Sequence, residues 1–218
     1  MSTLSILIIG IILLGVFSLD MIRRSKLKMI NACLEAKNYD AVISMAESKI
    51  NRKLLLSHTC DLYLLRANFL KLETSEFLPI LFKVYKEEVN EEHKKDIMET
   101  YYHLYLFKQN EEAASAILEK IMNSADVNFK KVSQFAFDVA FHKDSEDLKE
   151  METLVEILRS FELGACAYYI AAKYEQMGNW EMAQAYYQSC LGCFNESHYY
   201  SKSAKKHVED LAKKLVNA

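Results

Sequence analysis

The sequence predicts an all-α protein: a stack of about five helix pairs, closed by a C-terminal helix and preceded by one transmembrane helix. Three observations carry this expectation. The chain of 218 residues is 51% hydrophobic but holds only 5 Gly and 1 Pro. Positions for tight turns are therefore scarce, which disfavours an all-β sandwich or barrel. An uncharged apolar run opens the chain, and polar breaks recur along the rest at near-constant spacing.

The apolar run is Leu4 to Leu19. As a helix, with Thr3 and residues up to Ile22, it approaches the ~30 Å hydrocarbon core of a bilayer. A secretory signal peptide would place basic residues before the run and a small-residue cleavage site after it. Met1, Ser2 and Thr3 precede it, and Asp20, Met21, Ile22, Arg23 and Arg24 follow. A buried core helix apolar on every face is uncommon in a domain of this size. The expectation is a single-pass anchor, with residues 4–22 in the bilayer.

Arg23, Arg24, Lys26 and Lys28 all follow the run. The positive-inside rule then places the N-terminus outside and the following domain in the cytoplasm, at the cell membrane. Gly10 and Gly15 are wrongly spaced for a GxxxG dimer face. No Gly-, Pro- or Ser-rich linker separates the run from the apolar helical spacing beyond Lys28. The anchor is therefore expected to continue into the body. The division expected is 1–24 for the anchor with its basic flank, 25–196 for the repeats, and 197–218 for a capping helix.

Internal repetition organises the body. In residues 165–191, Ala167, Ile170, Ala171 and Tyr174 share one helical face. Gly178 and Asn179 break the helix, since Gly readily adopts the left-handed conformation at a helix end. Trp180 opens a second helix with Ala183, Tyr187 and Cys190 on its inner face. Upstream, Lys143 to Glu146 is a polar break, with Val132, Phe135, Ala136 and Val139 before it and Leu148 after it. Lys108 to Glu111 is another, between Leu104 and the pair Ala113 and Ile117. Lys108, Lys143 and Gly178 are 35 residues apart in turn. Lys37 to Asp40 is a further break about two such periods earlier. The intervening one is expected near Leu72 to Ser75, with Thr74 or Ser75 capping the next helix and Pro79 in or near its first turn. From His198 onward, Ala204, Val208, Leu211 and Leu215 form the apolar stripe of a terminal cap, with Lys213 and Lys214 on the solvated side.

The 165–191 unit resembles a tetratricopeptide repeat. Ala171, Tyr174, Gly178, Asn179, Trp180, Ala183 and Tyr187 match that family's helix–turn–helix pattern, and Asn195 stands where the family usually has Pro. The resemblance implies a right-handed superhelical stack that presents the first helix of each pair on a concave surface. It places Asn31 and Leu34 on that face in the first unit, Tyr102 and Tyr105 in the third, and Tyr168, Ala172 and Glu175 in the fifth. Packing between repeats is the alternative for the tyrosines; helical phase favours the groove slightly for Tyr102 and Tyr105. The family's carboxylate clamp is not evident, because Tyr168 and Ala172 stand where Lys and Asn would be needed.

Several classes of chemistry are disfavoured. The net charge is −3, and removing the anchor makes the body one unit more negative, which is no footprint of a nucleic-acid binder. There is no phosphate loop, dinucleotide fingerprint, His-Glu-x-x-His or Gly-x-Ser-x-Gly. The histidines at 58, 93, 103, 142, 198 and 207 are scattered. Five cysteines, an odd number, read as reduced thiols. Cys190 and Cys193 could ligate zinc or form a redox pair, with His198 five residues on as a third donor and Cys166 as a candidate fourth, but no second closely spaced pair completes the usual pattern. No cofactor and no reaction are expected.

The expected function is therefore a membrane-tethered scaffold or adaptor that binds a protein or peptide. The alternatives are an assembly or quality-control factor for membrane proteins, and a thiol- or zinc-dependent regulator acting through Cys190 and Cys193. Rich usage of Lys, Glu, Asn and Ile suggests a bacterium with AT-rich DNA; an outer-mitochondrial receptor of the same topology is the organismal alternative.

Overall fold

Three turns in the chain share one construction. Lys37, Gln109 and Gly178 each adopt a left-handed backbone, with φ of 56°, 55° and 75°. The next residue in each case is Asn. The amide N–H groups of Asn38, Asn110 and Asn179 donate back to the carbonyls of Cys33, Tyr105 and Tyr174 at 2.8, 3.0 and 2.9 Å. The N–H groups of Lys37, Gln109 and Gly178 bond the carbonyls of Leu34, Leu106 and Glu175. This is a Schellman closure, which satisfies carbonyls that a helix end otherwise leaves unpaired. Each Asn side chain then accepts from the amide of Ala41, Ala113 or Met182 and caps the following helix.

The computed structural model describes residues 3–142 and 147–216, with side chains from residue 13 onward. The described residues form α-helices and no strands. The elements are α1 (Thr3–Glu35), α2 (Tyr39–Glu47), α3 (Lys49–Leu55), α4 (Ser57–Lys71), α5 (Thr74–Glu87) and α6 (Glu91–Phe107). They continue with α7 (Glu111–Ile121), α8 (Val127–Phe137), a π-helical turn (Asp138–His142), α9 (Leu148–Val155), α10 (Ser160–Gln176), α11 (Trp180–Leu191) and α12 (Tyr199–Val216). The break expected at Lys143 to Glu146 lies outside the described residues.

The chain divides into two compact units, Met1–Ile97 and Met98–Ala218, and the division falls within α6. In the first unit, α2 packs on α1 and α4, and α3 packs on α4. The core gathers Ile30, Val42, Ala46, Leu55, Cys60 and Ala67. Arg52 grips Asp61 with two hydrogen bonds of 2.6 and 3.1 Å. A bidentate pair of this kind fixes α3 against α4 more firmly than a single contact would. Helix α3 is an extra element that regular spacing did not predict. It is set off by Ser48 and by Leu56, whose φ of 74° leaves the α-helical region. The expected cap before α5 is also corrected. Glu73 occupies the N-cap without a side-chain bond, Thr74 is already helical, and Pro79 lies inside the helix.

Helix α1 runs without interruption for 33 residues, so the apolar run continues directly into the body. Arg23 donates to the carbonyl of Leu54 at 2.7 Å, tying α1 to the end of α3. Leu13, Leu14, Val16, Phe17 and Leu19 are exposed. Among the described residues, no helix is long and apolar enough to cross a membrane. The side chains of residues 4–12, more than half of the run Leu4 to Leu19, lie outside those described.

In the second unit, α10 packs on α8, α9 and α11, and α12 packs on α11. Most of the apolar positions read from the repeat are buried: Val132, Phe135, Ala136 and Val139 upstream, Ala167, Ile170 and Ala171 in α10, and Ala183, Tyr187 and Cys190 in α11; Leu104, Leu148 and Tyr174 are half-buried. Ala171 and Ala183, both wholly buried, have no bulk to hold α10 and α11 apart. Ala204 and Leu211 of the C-terminal stripe are buried as well, so α12 covers the face that α11 would otherwise leave open.

Candidate partner-binding groove

Tyr168, Ala172 and Glu175 stand at i, i+4 and i+7 on α10, hence on one face. They line an open groove of about 510 Å³ within Met98–Ala218. Leu106 and Phe107 at the end of α6 form part of its wall, as do Val139 and Ala140 of the π-helical turn, and His207 and Lys214 of α12. The size is within the range of ordinary ligand sites.

The turn at Gly178 and Asn179 fixes how α11 returns along α10 and brings Tyr187 to the groove. Close approach at the other end of α10 depends on Gly164. A Cβ there would lie 2.6 Å from Cys193 Cβ and from the Phe194 ring. The π-helical turn is held from α10 by Gln176, whose side chain donates to the carbonyl of Val139 at 3.0 Å.

Polar chemistry in the groove converges on Glu175. His207 Nδ1 lies 2.9 Å from Glu175 Oε2, and Lys214 Nζ lies 3.4 Å from Oε1. The buried Tyr187 hydroxyl donates to Oε2 at 3.4 Å, and its ring stacks on His207 with centroids 4.7 Å apart. Burial, above all, raises the pKa of Tyr187, so this hydroxyl keeps its proton and remains a donor. Tyr168 is held by Ser203 of α12 at 2.8 Å. The groove thus has an aromatic wall and one carboxylate faced by a lysine and a histidine. It is suited to binding a polar or peptide group.

The other expected groove residues lie elsewhere. Tyr102 and Tyr105 are buried, which corrects the expectation that they face the groove. The Tyr102 hydroxyl donates to the carbonyl of Ser133 at 2.5 Å, and burial pushes its pKa up. Asn31 is exposed in Met1–Ile97 and accepts from the Tyr63 hydroxyl at 2.9 Å, while Leu34 packs against that unit's core. Trp180 lies under Lys214 Nζ at 5.9 Å. Tyr174 stacks on Tyr186, and both hydroxyls donate to Glu152. His207 and Lys214 were not singled out from the sequence as groove residues, although their spacing of seven already put them on one face of α12.

The cysteines are free. Cys190 is buried and its thiol is pushed up to about 12, chiefly by burial; burial also raises that of Cys193. Both are therefore neutral at physiological pH, the unreactive form of a thiol. Cys193 Cβ packs on Gly164, and no cysteine joins a three-ligand cluster among the described residues. The cluster that does form is His58, Glu88 and His93, which the scattered positions of the histidines did not reveal.

No family model matches the chain, and no curated protein and no solved structure matches it.

Proposed function

We propose that the chain is a membrane-tethered adaptor of the tetratricopeptide type, which holds a protein or peptide partner in the α10 groove at the cytoplasmic face of the membrane. The observation that carries this reading is the groove itself. Three positions that the repeat pattern assigned to a concave face, Tyr168, Ala172 and Glu175, line one recess. The tether is supported by the uncharged run Leu4 to Leu19, the exposed apolar side chains on its second half, and the basic cluster after it. The continuity of α1 would keep the body close to the bilayer. A client among membrane proteins under assembly would be one instance of such a partner.

A photo-crosslinking residue at Ala172 tests the groove, with the same residue at exposed Glu181 as control. Irradiation of intact membranes should give a discrete protein adduct from position 172 alone. Adding Tyr168→Ala and Glu175→Lys should weaken that adduct. Identical products from both positions, or none from 172, would refute groove binding.

A further inference from the structure

Three consecutive elements of Met1–Ile97 bring metal-ligating side chains to one point. His58 lies in the first turn of α4, Glu88 directly follows α5, and His93 lies in the first turn of α6. The two imidazoles stack with centroids 3.6 Å apart and planes 11° apart. Each Nδ1 lies 3.5 Å from the same atom, Glu88 Oε2. His58 Nδ1 is buried and has no hydrogen-bond partner.

That arrangement is unsatisfied as it stands. A proton on His58 Nδ1 would have no well-placed acceptor. Without one, a nitrogen lone pair faces a carboxylate oxygen. Charging both imidazoles would set two cations face to face against one carboxylate. A metal cation resolves all three problems by accepting the lone pairs of both nitrogens and the carboxylate oxygen.

The distances agree with such an ion. Ligand bonds of about 2.0–2.2 Å in a tetrahedron imply ligand–ligand edges of roughly 3.3–3.6 Å. The two Nδ1 to Oε2 separations fall in that range. The rings must splay from their stack to bring one ion into both ring planes.

The surroundings hold the donors in place. Glu88 Oε1 accepts from the amides of Val89 and Asn90 at 2.8 and 2.9 Å, leaving Oε2 turned to the histidines. These backbone bonds, with that of Asn90 the largest cause, hold the carboxyl below its usual range and so keep it ionised. Asn90 Oδ1 accepts from the amides of Glu92 and His93 and fixes the turn that carries His93. Outer contacts of this kind orient metal ligands.

We propose that His58, Glu88 and His93 bind one divalent transition-metal ion of the zinc class. Two imidazoles and a carboxylate suit zinc, cobalt or nickel better than calcium or magnesium, which prefer oxygen donors. A fourth position is left for water or for a side chain of a partner. This site is independent of the α10 groove and of Cys190 and Cys193.

Titration of the full chain in detergent micelles with zinc chloride, and separately with cobalt(II), tests the site. Wild type should bind one ion per chain, and the cobalt complex should show tetrahedral d–d bands without a thiolate charge-transfer band. His93→Ala and Glu88→Gln should each weaken binding more than about tenfold. Cys190→Ser/Cys193→Ser should leave it unchanged. Zinc should raise the thermal midpoint of wild type but not of His93→Ala. Circular dichroism checks folding, and His93, the more exposed histidine, gives the decisive variant if His58→Ala does not fold. Equal zinc affinity in wild type and His93→Ala, no binding by wild type, or a thiolate band lost in the double cysteine variant would overturn the proposal.

Discussion

His207 Nδ1 on α12 lies 2.9 Å from Glu175 Oε2 on α10, so the capping helix and the groove helix meet at one carboxylate. Lys214 reaches the other oxygen of that carboxylate. Glu175→Gln should therefore loosen α12 as well as alter the groove. The contacts are partly exposed, so the expected loss of stability is about 1 kcal/mol or less. Amide exchange along α12 should quicken while α8 stays protected. Unchanged exchange in α12 would show that its packing on α11 alone holds it.

The three left-handed turns predict opposite outcomes for related substitutions. Gly178 has φ 75° and nothing within 4 Å of the position a Cβ would take. Gly178→Ala should cost about 1 kcal/mol through backbone conformation alone. Lys37→Gly, at φ 56°, should stabilise by a few tenths to about 1 kcal/mol, since glycine relieves the strain but loses more entropy on folding. Urea midpoints of the two variants should move in opposite directions.

Gly164→Ala should be worse than either, because its methyl group would meet Cys193 Cβ and the Phe194 ring at 2.6 Å. Overpacking of this kind costs about 1–3 kcal/mol. Adding Cys193→Gly should recover part of the loss, which a thermal melt of the single and double variants would reveal. A ligand role for Cys193 gives no reason for such recovery.

His103 should make stability depend on pH. It is buried beside the hydroxyl of Tyr200, 2.7 Å from Nδ1, and Tyr200 in turn donates to Tyr169 at 3.1 Å. Burial, with His198 nearby as the lesser cause, lowers its pKa to about 3, against 6.5 ordinarily. The unfolded chain thus binds a proton in this range that the folded chain does not. The stabilisation is complete above about pH 6.5 and declines as pH falls toward about 3, by about 1.4 kcal/mol per pH unit for this group. Replacing His103 with Gln should flatten that slope in denaturant titrations between pH 7 and 4.

Much of this architecture was legible because it depends on local chemistry. Gly178 followed by Asn179 announces a helix end, and the apolar phase of residues 165–191 correctly marked the buried faces of α10 and α11. Lys37 and Gln109 hide the same turn, since neither residue type advertises a left-handed backbone. In their case the polar break and its spacing were the readable signs. Tyr102 and Tyr105 were misplaced for a different reason. Tyr101, Tyr102, His103, Tyr105 and Leu106 are all buried, so α6 has no single apolar face from which phase can assign an open side. The pairing of His58 with His93 depends on three helices converging, which no local pattern encodes. Helix α3 is marked only by the backbone at Ser48 and Leu56, with no Gly or Pro to announce it.

Extraction combined with protease protection, in bacterial cells making the full chain, tests whether residues 4–22 hold the body to a membrane. The chain should stay in the membrane pellet in alkaline carbonate, and a variant lacking residues 4–22 should move to the supernatant. In intact spheroplasts the body should resist added protease until the membrane is lysed. Release of the full chain by carbonate would show that residues 4–22 do not anchor it, and digestion of its body in intact spheroplasts would place the body outside the cytoplasm.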